Sequence, residues 1–324
     1  MKQVVLAILI ATVPCIAGSL DLTIQNTGLA IGSVPRVNGI RINWSDSYFQ
    51  CINGINLTLW KPDQTIERGQ INGLALGLVA PSAKQINGIA IGVAGIVGNT
   101  RGINIAGLGM GGDRIAGLNI AGLGMGGGEI TGVNIAGLGM GGDRVFGVNL
   151  ALLGIGADDV SGLTFAGLGI GASQHLSGLT IAGLGAGGDN IRGIMIAGLG
   201  FGTKSFTGLG IAGLGMGGER LRGLTIGGLG VGGTTLSGVQ AALLGVGGDQ
   251  VNGLTLAGGG IEGRMLNGIK IAGYVRAKEQ MNGLSIGLLN IAHALKGVQI
   301  GLINIAGNNP APLKILPLVN VHLD

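Results

Sequence analysis

Three histidines, His175, His293 and His322, and two cysteines, Cys15 and Cys51, are the side chains with the chemistry to act as bases, ligands or nucleophiles. Each needs partners to do so. None of the histidines stands in a Cys, Asp or Glu cluster at metal-ligand spacing. His175 lies beside a one-residue insertion and is expected to be solvated. A Ser-His-Asp set can be composed on paper, but nothing in the spacing selects its members. Glycine-rich strings are the other candidates. GLGMGGDR, at 107–114 and 137–144, has the look of a dinucleotide-binding turn, but such a turn occurs once, between a strand and a helix. In GLGFGTKS (198–205), Thr203 takes the place of the glycine that a phosphate loop requires. Gly-Gly-Asp elements suggest calcium-binding nonapeptides, yet Ser173-Gln174, Lys204-Ser205 and Thr234-Thr235 break any aspartate period. A column of Asn and Thr could bind ice, but Met195, Gly210, Gln240 and Lys270 interrupt it. No catalytic, cofactor-binding or metal residue is assigned, no cofactor is expected, and the chain is not expected to be an enzyme.

The same strings make sense as parts of a repeat. A glycine followed by Leu, Ile or Val recurs at 18 positions, from Gly39 to Gly297, and 13 of the 17 intervals are 15 residues. The unit starting at Gly102 reads GINIA, GLGMG, GDRIA. Each pentad begins with glycine and places apolar residues at alternate positions, which is strand patterning. The phase slips by one residue between pentads, so a straight strand would turn its apolar residues to the wrong side. A bend at the glycine removes the conflict. Three short sides then make one closed coil, and about 17 coils stack about 4.8 Å apart into an all-β parallel solenoid. In this reading Leu108, Leu123, Leu138, Leu153 and Leu168 form an inward ladder. Asn104, Asn119, Asn134 and Asn149, followed by Thr164 and Thr180, form an outward one. Gly109, Gly124 and their equivalents through Gly260 leave the outer middle of the second side as bare backbone, and the third side carries most of the charge. Asn-Gly pairs such as 38–39 and 252–253 are read as solenoid corners rather than hairpins. The alternative is an outer-membrane β-barrel, since 18 is an even number and 15 residues can supply a strand and a turn. Identical turns at both ends, Leu and Met where a lumen would be polar, and the lack of aromatic girdles oppose it.

The glycine count, 72 of 324 residues, thus has a positional origin. With 10% charged and 46% hydrophobic residues the chain is not of the disordered class, and it has no Gly-X-Y period of a collagen. The net charge of +4 is scattered, with no Lys/Arg stripe interleaved with aromatics, so nucleic acid is not an expected partner. Residues 1–19 read as a signal peptide: Lys2, an apolar stretch from Val4 to Val13, and small residues around Ala17 to Ser19. Lipidation at Cys15 is disfavoured by Pro14. If the leader is removed, Cys51 is the one cysteine left and no internal disulfide forms. Residues 20–100 form irregular N-terminal repeats and a cap that includes Trp44, Tyr48, Phe49 and Trp60, with a protruding turn at Trp60–Asp63. Residues 101–306 hold the regular repeats, and 307–324 form a C-terminal cap strand.

The stretch GLSIGLLNIAHALKGVQIGLINIAGN (283–308), followed by ILPLVN (315–320), resembles the bacterial surface repeat proteins built on tandem GLQIGLxN units. The resemblance implies an exported, surface or envelope-associated protein and no particular reaction. The resulting expectation is a non-enzymatic structural or interaction protein of the bacterial envelope. The alternative is a barrel with a pore or transport role. The expected partners of the solenoid are a second copy, associating laterally through the bare glycine side, or envelope components, with membrane association as a further option.

Overall fold

The computed structural model describes residues 15–16, 19–61 and 68–323. Most of the predicted signal segment and part of the turn after Trp60 therefore lie outside the described residues. Every regular element among the described residues is a β-strand. The chain is a parallel β-solenoid of about 18 turns, and it divides into two units, 1–157 and 158–324.

The first unit opens with two antiparallel pairings. β1 (Cys15–Ile16) pairs with β2 (Ser19–Ile24), and β2 pairs with β3 (Thr27–Ile31). From β3 onward the pairing is parallel, through β4 (Arg36–Asn43), β5 (Cys51–Thr58) and their successors to β11 (Gly139–Ala151). Like stands on like: Gly117 faces Gly132, Asn119 faces Asn134, and Ala121 faces Ala136. The second unit repeats this from β13 (Gly169–Ala182) to β21 (Leu289–Ala306). It ends with the antiparallel β22 (Ile315–His322) on β21. Successive strands that pair in parallel, one coil apart, do not make a barrel, whose neighbouring strands alternate in direction.

The anchor glycines, the Asn-Gly ones included, have positive φ, such as 116° at Gly117 and 109° at Gly132. There is no hairpin at these positions; each faces the anchor of the next coil. A side chain at Gly132 would run into the carbonyl oxygen of Gly117. The anchor is thus glycine for two reasons, its φ and the close approach of the coil beneath.

The orientation of the sides corrects the sequence reading in part. Met110, Ile115, Asn119 and Ala121 point inward, and so does the small Gly112. The predicted inward ladder is outside: Leu108 is 54% exposed and Leu123 47%. Leu138, Leu153 and Leu168 are exposed likewise. The predicted outward ladder is inside: Asn104, Asn119, Asn134, Asn149 and Thr164 have no exposed surface, and Thr180 almost none. The reason lies in the corners. Two consecutive residues point outward at Asp113-Arg114, Gly117-Leu118 and Gly122-Leu123. Each such pair shifts the alternation by one, so the first pentad presents its third and fifth residues to the interior. The expected inward positions of the third pentad do hold, with Ile115, Val145, Ile191, Leu221, Leu236 and Val251 all buried.

Packing confirms the inner column. Where Met195 takes the place of the Asn or Thr of the inner column, Ala186, nine residues earlier on the same strand, stands in the methionine column. Where Gly210 stands, Phe201 and Phe206 fill the space, and a Cβ on Gly210 would lie 2.8 Å from the Phe201 ring. Such exchanges keep the filled volume nearly constant, as a close-packed interior requires.

Candidate functional surface

The outward second and fourth positions of the unit, counting the anchor as the first, make with the corner leucine an aliphatic face in each unit. In the first unit it includes Ile103, Ile105, Leu118, Val133 and Ile135. Trp44 and Trp60, both exposed, stack with ring centroids 6.1 Å apart in the same unit. In the second unit the corner leucines Leu184, Leu199, Leu214, Leu229 and Leu244 are all exposed, Leu214 by 50%. Every residue at the second and fourth positions from Leu179 to Ile286 is aliphatic.

The polar groups that a sequence reader would place on this surface are locked inside. Asn104 Nδ2 donates to Asn119 Oδ1, Asn119 to Asn134 and Asn134 to Asn149, each at 2.7 Å. Stacking at the coil spacing pairs these carboxamides along the axis, which makes their burial tolerable, and leaves Asn104 Oδ1 at the end of the run without a partner. The column cannot bind ice, because it offers no hydroxyl to solvent. Lower in the first unit, Arg41 and Asp46 form a fully buried ion pair at 3.1 Å, joined by Asn43, Asn56 and Thr58. Asp46 Oδ2 also accepts the backbone N–H of Ser82, and the Arg41 guanidinium lies 4.9 Å over the Phe49 ring. Burial lowers the Arg41 pKa, and the neighbouring Asp46 opposes that effect. In the second unit the column holds Lys270, fully buried. Its ammonium donates to Gly253 O and Asn267 O at 2.9 Å and to Thr255 Oγ1 at 3.2 Å. Burial pushes its pKa down to about 8.

The charges gather at the Asp113-Arg114 corner and its equivalents, where residues one coil apart pair. Arg114 meets Glu129 at 2.8 Å and Lys204 meets Asp189 at 2.6 Å. Arg264 meets Glu279 at 2.9 Å, and Lys278 reaches Glu262 at 2.8 Å. The hydrogen bond to Asp189 raises the Lys204 pKa, and the one from Lys278 lowers that of Glu262. These pairs lie largely open to solvent and add little to stability. An open groove of about 450 Å³ runs between Asp249, Glu262, Arg264 and Lys278, with a similar one of about 430 Å³ around Arg101, Asp113, Glu129 and Arg144.

Among the described residues, the structure does not bring the three histidines and Cys51 together. His175 sits at a register shift, solvated, with Nδ1 2.8 Å from Asp159 Oδ1. His293 is exposed, and His322 Nδ1 lies 2.5 Å from Asn309 Oδ1. Cys51 is a free, half-buried thiol. The GLGFGTKS string runs through a strand, with Thr203 Oγ1 bonded to Asp189 O and Ser205 O. Among the described residues no three His, Cys, Asp or Glu side chains are placed to hold a metal ion. The glycines predicted mid-side, Gly109 to Gly260, stand beside the corner instead; a Cβ on Gly124 would be 3.2 Å from Gly139 O. Mid-side is held by Gly111, Gly126, Gly156, Gly171 and Gly202. At the last four of these a Cβ would meet nothing within 4 Å.

Compared with known proteins, the chain matches no family model, no curated protein and no solved structure.

Proposed function

We propose that the chain is an exported, non-enzymatic structural or interaction protein of the bacterial cell surface or envelope. The observation that carries this reading is the aliphatic face, with corner residues such as Leu199 and Leu214 about half exposed. A monomer in water seldom keeps a large contiguous apolar patch uncovered, and such patches mark interaction sites. The polar side chains that could bind a small molecule are spent on internal ladders and exposed ion pairs, so the functional element is a surface rather than a pocket. The leader-like segment 1–19 and the GLQIGLxN-type repeats support export and an envelope location. The testing experiment is fractionation of cells that make the tagged chain, followed by protease treatment of intact cells. The expected result is a chain lacking its leader, in the envelope fraction, cleaved by external protease. A full-length chain retained in the cytosol would overturn the proposal.

A further inference from the structure

We infer that the aliphatic face of the second unit is covered by the same face of a second copy of this chain. The inference concerns the partner of the proposed surface and does not depend on where the chain resides. Strands β13 to β21 stack at a spacing of about 4.8 Å, which gives the face a height of roughly 40 Å. From the residue directly after the anchor to the corner leucine, as from Leu209 to Leu214, is five residues, or about 17 Å. With its side-chain fringe the face measures roughly 800 Å². The largest apolar patch of a typical monomer is about 300–600 Å², and a stable dimer buries about 800 Å² per partner. One unit therefore supplies what one side of a stable homodimer needs.

Two further observations select a second copy over a lipid surface. The face consists of equally spaced ridges, because Ile194 stands on Leu209 and Leu209 on Leu224. A copy related by a two-fold axis has the same spacing, so its ridges can enter these grooves as two sheets pack at about 10 Å. The border along the residue before each anchor is neutral at Ser177, Thr207, Ser237, Asn252, Asn267 and Asn282, and its cations, Arg192, Arg222 and Lys296, stand singly between neutral residues rather than in a cluster. A face that lies on an anionic bilayer is normally flanked by lysine and arginine. The bare glycine side is a different surface, without side chains to interlock, and is not the interface in this account.

The test is the mass of the folded full chain in detergent-free buffer, by analytical ultracentrifugation across a micromolar dilution series. A dimer is expected, and a monomer or an open-ended series of aggregates overturns the inference. The double variant Leu209→Gln/Leu224→Gln should raise the dimer dissociation constant at least about tenfold with its strand spectrum unchanged. The glycine-side variant Gly202→Asp should leave the dimer intact. A dimer lost in Gly202→Asp but kept in the double variant overturns the assignment. As a reading independent of stability, a polarity-sensitive thiol probe on Leu214→Cys in a Cys15→Ser/Cys51→Ser chain should show blue-shifted emission in the dimer that reverts on dilution; an unshifted emission in the dimer counts against this face. A monomer that floats with phosphatidylcholine–phosphatidylglycerol vesicles would make the bilayer the occupant and refute the dimer.

Discussion

Replacing Asn119 by alanine tests which side of the coil is inside. Asn119 accepts a hydrogen bond from Asn104 at 2.7 Å and donates to Asn134 Oδ1 at 2.7 Å and to Thr131 O at 3.1 Å. Alanine removes all three. Asn104 Nδ2 retains only a 3.3 Å contact with Ala116 O, and Asn134 Oδ1 loses this donor. A buried polar atom left without a partner costs about 1–3 kcal/mol, so the two orphaned groups and the small void together cost about 3 kcal/mol. Asn119→Thr should recover part of the loss, because Thr164 and Thr180 hold the same column. The companion is Leu123→Ala. With Leu123 47% exposed, its truncation should cost about 1 kcal/mol. Urea unfolding followed by circular dichroism, at constant slope, gives both values. Were the leucines inside and the asparagines outside, the order would invert: about 2–5 kcal/mol for Leu123→Ala and within about 0.5 kcal/mol for Asn119→Ala. That inverted order would refute the reasoning.

Other substitutions probe separate parts of the account. Gly132→Ala should cost more than about 3 kcal/mol or abolish soluble expression, whereas Gly126→Ala, in open space with an ordinary φ, should be neutral or stabilise by up to about 1 kcal/mol; thermal midpoints compare them. Asp46→Ala leaves the Arg41 charge buried without its partner, and a loss of about 3–5 kcal/mol is expected in the same assay. Lys270 titrates at about 8 when folded, against its ordinary value of 10.5. Between these values the unfolded chain holds the proton and the folded chain does not, so stability rises with pH across that window, by up to about 3 kcal/mol, and the penalty is fully present below pH 8. Denaturation midpoints from pH 7 to 10.5 should show this rise in the parent chain and not in Lys270→Gln; equal slopes would count against a buried ammonium.

The period was legible because glycine, aliphatic and small residues recur at fixed offsets, and a 15-residue slip-by-one pattern has few solutions other than a bent coil. The corners were legible from the same slip, and Asn-Gly pairs at positive φ fitted them. Which face is inside was not legible for the first pentad. GINIA offers Ile103 and Ile105 on one face and Asn104 and Ala106 on the other, and hydrophobicity alone favours burying the isoleucines. Met110 and Ile115 from the other sides occupy the interior together with Asn104 and Ala106, and that sharing is decided by the whole coil rather than by one pentad. A signal was nevertheless present: Met195 enters the Asn/Thr column on the strand where Ala186 replaces the larger residue of the methionine column, a volume compensation expected of residues that share a core. The buried Arg41–Asp46 pair had no such signal, because its members come from a strand and a following loop whose path depends on the packing around Phe49.

The stacking itself is tested most directly by a disulfide scan across two coils. Gly126 and Gly141 face each other in register, and neither has a positive φ. At a coil spacing of about 4.8 Å their Cα atoms fall within the range that a disulfide spans. With Cys15 and Cys51 changed to serine, a cysteine fixed at 126 is combined in turn with a cysteine at each position from 139 to 143, and the fraction oxidised within one chain is measured under native conditions. The account predicts a maximum at 141, with 140 and 142, which point inward, low. A maximum at another position, or no cross-link within a chain at any of them, would contradict the parallel 15-residue coil.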